Sequence, residues 1–111
     1  MDIIFTNERQ GKEFNDTKQL VRVHGPVRAK KIRLRLTQLQ AADVLEDMRY
    51  LPGRCHELKG NRADQLSLDL DGPYRLIFEP AHDPILRRSD GGLDWTLVTA
   101  VRILEVVDYH D

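Results

Sequence analysis

His56 and His110 are the side chains of this sequence best suited to moving protons near neutral pH, since an unperturbed imidazole titrates near ~6.5. Lys59 follows His56 by three residues and Arg75 lies in a strand-like run, so both offer fixed positive charge to an anionic transition state. Asp108 and Tyr109 precede His110 directly; one can orient or charge a histidine, the other can stack on a base or donate a proton. Two histidines with cations between them are equipment for cleaving RNA without a metal. One group deprotonates the 2′-OH, which attacks the adjacent phosphorus, and another protonates the departing 5′-oxygen. Arg and Lys hold the phosphate charge in between.

Plainer readings compete with each part. His56 and Lys59 also fit polar loop positions, and Arg75 is spaced to pair with Glu79 on one strand face. Asp108-Tyr109-His110-Asp111 also fits a solvated chain end. Cys55, His56, Asp108 and His110 have no recognised metal-ligand spacing, so no metal site and no cofactor are expected. Cys55 is the only cysteine, which rules out an internal disulfide; adjacent side chains diverge, so His56 is not placed to activate it. His24 and His82 fall in turn-like contexts and take no role. Asp90-Gly91-Gly92 lacks the following helix that a phosphate loop needs.

The elements that must position these groups follow from periodicity. Residues 98–107 form the most strand-like run, rich in Val, Ile and Thr. Val98, Ala100, Leu104 and Val106 share one face, and Val101, Ile103 and Val107 the other, which predicts a strand inside a sheet. Ile3-Ile4-Phe5 offers a short strand, and Asn7 caps a polar helix over Glu8 to Val23 that stops at Gly25. Pro26 opens a second helix to Gln40, with Ala29, Ile32, Leu36 and Leu39 as its apolar stripe. Asp43 caps a short third helix, Val44 to Tyr50, closed by Pro52-Gly53. Leu66, Leu68 and Leu70 alternate into a hairpin at Asp71-Gly72, which returns through Tyr74, Leu76 and Phe78. Residues 80–94 read as a long loop ending at Trp95. Helices followed by a meander predict an α+β domain over residues 1–111, with two to three helices packed on a small antiparallel sheet.

Charge is unevenly placed. Residues 1–62 hold 13 Lys and Arg against 8 Asp and Glu; residues 63–111 hold 4 against 10. Arg28, Lys30, Lys31, Arg33 and Arg35 crowd the second helix, and no acid lies between Asp16 and Asp43 to neutralise them within it. With Arg54 and Arg62 they point to a polyanion-facing surface, although a solvated helix face would look the same. The composition, 41% hydrophobic and 32% charged, suits a soluble globular domain. No apolar run nears the ~18 residues of a bilayer span, and Met1-Asp2-Ile3-Ile4-Phe5 is no signal peptide, so the cytoplasm is the expected compartment without membrane contact.

Leu51-Pro52-Gly53-Arg54-Cys55-His56-Glu57-Leu58-Lys59-Gly60-Asn61-Arg62, then Tyr74-Arg75-Leu76-Ile77-Phe78, then Asp108-Tyr109-His110 resemble the HigB plasmid-maintenance killer toxins of the RelE/ParE superfamily. The resemblance covers most of the chain in order and spacing. It implies a RelE-like α+β fold and a ribosome-dependent, metal-independent mRNA endonuclease (an mRNA interferase). It also implies a HigA-like helix-turn-helix antitoxin, with operator DNA reached only through that antitoxin. By position, His56, Lys59, Arg75, Asp108, Tyr109 and His110 match the family's active-site set. The basic helix Arg28–Arg35 falls where such toxins meet ribosomal RNA. The chain departs from the pattern near the hairpin turn, where some members carry a basic residue and this one has Asp69, Asp71 and Gly72. Its loop over residues 80–94 is also longer than in the shortest members. The alternative on the same scaffold is a ParE-like, non-catalytic gyrase inhibitor or an antitoxin-binding regulatory module.

Overall fold

The computed structural model describes residues 1–109. Its sheet has five strands in the order β1-β5-β4-β3-β2: β1 (Asp2–Phe5), β2 (His56–Glu57), β3 (Leu66–Asp69), β4 (Tyr74–Pro80) and β5 (Ala100–Asp108). The four later strands pair antiparallel, as the meander predicted. β1 instead runs parallel to β5, from Asp2 opposite Ala100 to Phe5 opposite Ile103, so the sheet is mixed. A parallel partner is available because three helices and the meander intervene, far more chain than a tight turn. β5 lies between β1 and β4, and a register shift opposite Ile77 and Phe78 swaps its faces: Val101 and Ile103 pack in the core and Val106 packs against it, which corrects the expected placing of Val106 on the opposite face.

α1 (Glu8–Phe14) and α2 (Thr17–His24) replace the single helix expected over Glu8 to Val23. Asn7 Oδ1 accepts from the Gln10 N–H at 2.8 Å to start the first, and Asp16 Oδ1 accepts from the Lys18 N–H at 2.9 Å to restart the second. A side-chain cap competing with the helical ladder splits the run at Asn15-Asp16. Gly25, at φ +81, ends α2 and admits α3 (Pro26–Ala41). The third expected helix is a 3-10 helix, Leu45–Tyr50, and its cap is not Asp43: the N–H groups of Asp43 and Val44 both donate to Asp47 Oδ2.

The helices cover one face of the sheet. Phe14, Leu20, Ala29, Ile32 and Leu39 pack with Leu66, Leu68, Leu76, Phe78, Val101 and Ile103 in one core. Leu45, Met48, Leu93, Trp95 and Val98 extend it beneath the loops. α3 does not present five basic residues to solvent. Arg35 is 5% exposed and turned inward, which corrects its assignment to an RNA-facing surface. It follows Ile32 by three residues on the buried stripe and reaches past the core to the sheet's far end.

Candidate active site

Strand register arranges the candidate residues in rows. His56, Ser67, Ile77 and Glu105 lie across β2, β3, β4 and β5 on the face away from the helices. Two residues along, Asp69, Arg75 and Val107 form the next row on that face. Continuing the β2 register sets Arg54 opposite Asp69, and the Asp69 N–H donates to the Gly53 carbonyl at 2.8 Å. His56 and Arg75 are thus two strands and two residues apart, about 12 Å between Cα atoms.

Charges alternate along the Arg54–Asp69–Arg75 row. Arg75 Nε lies 3.0 Å from Asp69 Oδ1, and Arg54 Nε and Nη2 each lie 3.3 Å from the same carboxylate. Arg75 Nη1 also donates to the carbonyls of Gly72 and Tyr74 at 2.9 Å. Arg75 therefore pairs with Asp69 rather than Glu79, whose carboxylate takes Arg102 at 2.7 Å. Beneath the row, Arg35 Nε donates to the Asp69 carbonyl at 2.7 Å and its Nη1 to the Pro52 carbonyl at 3.3 Å. Burial lowers the Arg35 pKa from its ordinary value, and the Asp69 charge opposes that shift. Gly53 is fixed by this packing: its φ is +117, and a Cβ there would stand 3.0 Å from Arg35 Nε.

His56 Nδ1 sits 2.8 Å from the Arg54 carbonyl. A carbonyl only accepts, so Nδ1 carries the proton in that bond. Tyr109 continues β5 through its N–H to the Pro73 carbonyl at 3.0 Å, and its ring lies 5.6 Å from the Arg62 guanidinium. Arg62 bonds Glu105 Oε1 at 3.0 Å, which puts Tyr109 on the same face as His56 and Arg75. Asp108 is placed differently. It stands across from Tyr74 on the helix-side face, at the end of the sheet. Lys59 is exposed and leads into the 3-10 turn Gly60–Arg62 beside β2. His110 lies outside the described residues, as does Asp111.

The basic surface is smaller than its sequence count. Arg28 stacks 3.3 Å above the Tyr74 ring and pairs with Asp71 at 3.1 Å, leaving Lys30 and Arg33 exposed and Lys31 half-buried. Tyr50, 81% exposed four residues before Arg54, is an accessible aromatic that no pattern in the sequence marks, because only the fold reveals its exposure. Burial pushes the Cys55 thiol up to about 12 against the smaller lowering effect of Arg49, which disfavours the thiolate that a nucleophile needs. His24 pairs with Glu13 at 3.1 Å, and His82 Nε2 accepts the Thr99 N–H at 3.1 Å, so both histidines tie elements together. Among the described residues no group of three His, Cys, Asp or Glu is placed to hold a metal, and no helix is long and apolar enough to cross a membrane.

No protein-family model matches the chain, and no curated protein matches it in sequence. Solved structures do match in shape. A YoeB/ParE toxin from Agrobacterium tumefaciens aligns over 100% of both chains with a TM-score of 0.57 and 12% identity. A YoeB–YefM complex from Staphylococcus aureus gives 0.55 at 17% identity, and a YoeB dimer from the same organism 0.54 at 19%; each covers 100% of this chain and 98% of its own. The full-length coverage and the α+β topology together make this the YoeB/ParE toxin fold.

Proposed function

We propose that the chain is the toxin of a toxin–antitoxin pair and acts as a metal-independent endoribonuclease on messenger RNA held in the ribosome. The observation that carries this reading is that His56, Arg54 and Arg75 lie at one end of one sheet face, with His56 Nδ1 donating to the Arg54 carbonyl. The likeness in fold to YoeB/ParE toxins supports it.

In this reading His56 Nε2 takes the proton of a ribose 2′-OH. The oxygen attacks the adjacent phosphorus, an O2′–P bond forms, the P–O5′ bond breaks, and a 2′,3′-cyclic phosphate and a 5′-OH result. His110 is assigned the proton donor to the leaving oxygen, on its sequence position beside Tyr109. Arg75 and Lys59 hold the charge that builds on phosphorus. Tyr109 stacks on a base, and Asp108 sets the charge or orientation of a neighbour from the sheet's other side. Lys30, Lys31 and Arg33, with Arg28, Arg54 and Arg62, face RNA; Arg35 has no part in this.

One similar structure is a YoeB–YefM complex, so that protein assembles with a second chain. By analogy, an antitoxin neutralises this chain; the HigA-like helix-turn-helix class is one proposal, and co-purification with the product of an adjacent gene decides the class. Primer extension on mRNA with purified ribosomes tests the activity. Cleavage by the wild type and its loss in a folded His56→Gln variant are expected. No cleavage, with a gyrase-dependent supercoiling defect, would establish the non-catalytic alternative.

A further inference from the structure

Arg54 and Asp69 form an exposed ion pair in the row next to His56. The Arg54 backbone lies at φ +51, a region that side-chain-bearing residues populate sparsely and that concentrates at functional sites. Its guanidinium meets Asp69 through Nε and Nη2 at 3.3 Å each, with the side chain 55% exposed. These bonds are long for a charged pair, where about 2.7–2.9 Å is usual. Arg75 is less exposed, at 12%: its Nη1 is fixed on two turn carbonyls, and its Nε stands 3.0 Å from Asp69 Oδ1 as an ion pair without hydrogen-bond geometry. Asp69 is pinned through its own N–H to Gly53 and its carbonyl to Arg35. Of the three, Arg54 is the most exposed, and its backbone carbonyl meets His56 Nδ1 independently of where its guanidinium points.

We infer that Asp69 is an internal stand-in for a phosphodiester. Its two oxygens engage the Arg54 fork as a phosphate would, and RNA exchanges that carboxylate for one backbone phosphate beside His56 while Asp69 keeps Arg75 in place. Asp69 is thereby a positioning residue that holds down the affinity of the unliganded site for anions. The inference rests on the ribonuclease reading above for the choice of RNA as the ligand.

Binding of a short 2′-O-methyl RNA, which cannot be cleaved, is read by fluorescence anisotropy across a salt series. Asp69→Asn is expected to bind about five- to tenfold tighter at low salt, because the amide no longer competes by charge. Arg54→Gln is expected to reduce the slope of log affinity against log salt by about 0.7, since one single-strand phosphate is no longer neutralised. In the Arg54→Gln background, Asp69→Asn should gain no more than about twofold, a coupling that a merely structural Asp69 would not produce. Weaker or unchanged binding by a folded Asp69→Asn overturns the inference. So does an equal gain in both backgrounds, or an unchanged salt slope in Arg54→Gln. The exposed Arg54 leaves its variant folded, so the slope remains readable where Asp69→Asn loses stability. Ribosomal cleavage assayed in parallel separates the two ideas: cleavage without the coupling overturns the stand-in alone, and coupling without cleavage overturns the nuclease alone.

Discussion

Arg35 Nε donates to the backbone carbonyl of Asp69 at 2.7 Å, so a buried cation of α3 supports the strand end that carries the candidate site. Its other arm reaches Pro52 and Gln38, and Gly53 packs flat against it. Removing it leaves part-buried acceptors unpaired and a void beneath the row. Arg35→Ala is therefore expected to cost about 3 kcal/mol in urea unfolding. Gly53→Ala should also destabilise, by about 2 kcal/mol, since it adds a Cβ at a left-handed φ against the guanidinium.

The exposed part of α3 should behave in the opposite way. Replacing Lys30 and Arg33 by Gln touches no buried group and is expected to change stability by less than about 0.5 kcal/mol each. If this face meets RNA, the double variant binds ribosomes more weakly and with a shallower salt dependence, by about 0.7–0.9 in log–log slope for each phosphate that is no longer neutralised. Ribosome co-sedimentation across a salt series measures it. Unchanged binding would remove the face from the interface.

Much of the scaffold was legible because periodicity reports burial. The alternation through Leu66, Leu68, Leu76 and Phe78 and the two-faced apolar run ending at Val107 are sheet signals, and Ala29, Ile32 and Leu39 are a helix stripe. Other features depended on contacts distant in sequence. The basic excess of the first half is met by acids of the second: Asp71 takes Arg28, Asp69 takes Arg54, and Glu105 takes Arg62. No spacing along the chain reveals those pairings. The inward turn of Arg35 was hidden for the same reason, because a charged residue next to an apolar stripe reads as a flank until its partners are known. The two-residue strand that carries His56 is too short to give a period. The break at Asn15-Asp16 was legible in principle, since Asp16 is a standard cap, but the apolar residues Leu20, Val21 and Val23 drew the helix across it.

Cys55 gives a pH signature of its own. Its folded thiol is pushed up to about 12 by burial, while the unfolded thiol titrates near its ordinary value of 9.0. As pH rises past the unfolded value, the unfolded chain loses a proton that the folded chain retains, so the folded state is disfavoured. The stabilising effect is complete below pH 9 and is lost towards about 12. Cys55→Ala removes this dependence, and its stability should fall less steeply than the wild type's above pH 9 in chemical denaturation. Parallel slopes for the two proteins would show that the thiol does not titrate this way.

Tyr109 separates stacking from proton transfer. Its backbone is tied to Pro73, and its ring shares a sheet face with His56 and Arg75, near the Arg62 guanidinium. A base laid on that ring needs the aromatic face and not the hydroxyl. Tyr109→Phe is expected to keep KM within about twofold, whereas Tyr109→Ala should raise it tenfold or more, in line with about 1–3 kcal/mol for a base–aromatic stack. If the hydroxyl donates the proton instead, Tyr109→Phe would lower kcat about a hundredfold with KM unchanged. Steady-state cleavage kinetics on programmed ribosomes distinguish the two, and the fall in kcat would move the general-acid role from His110 to Tyr109.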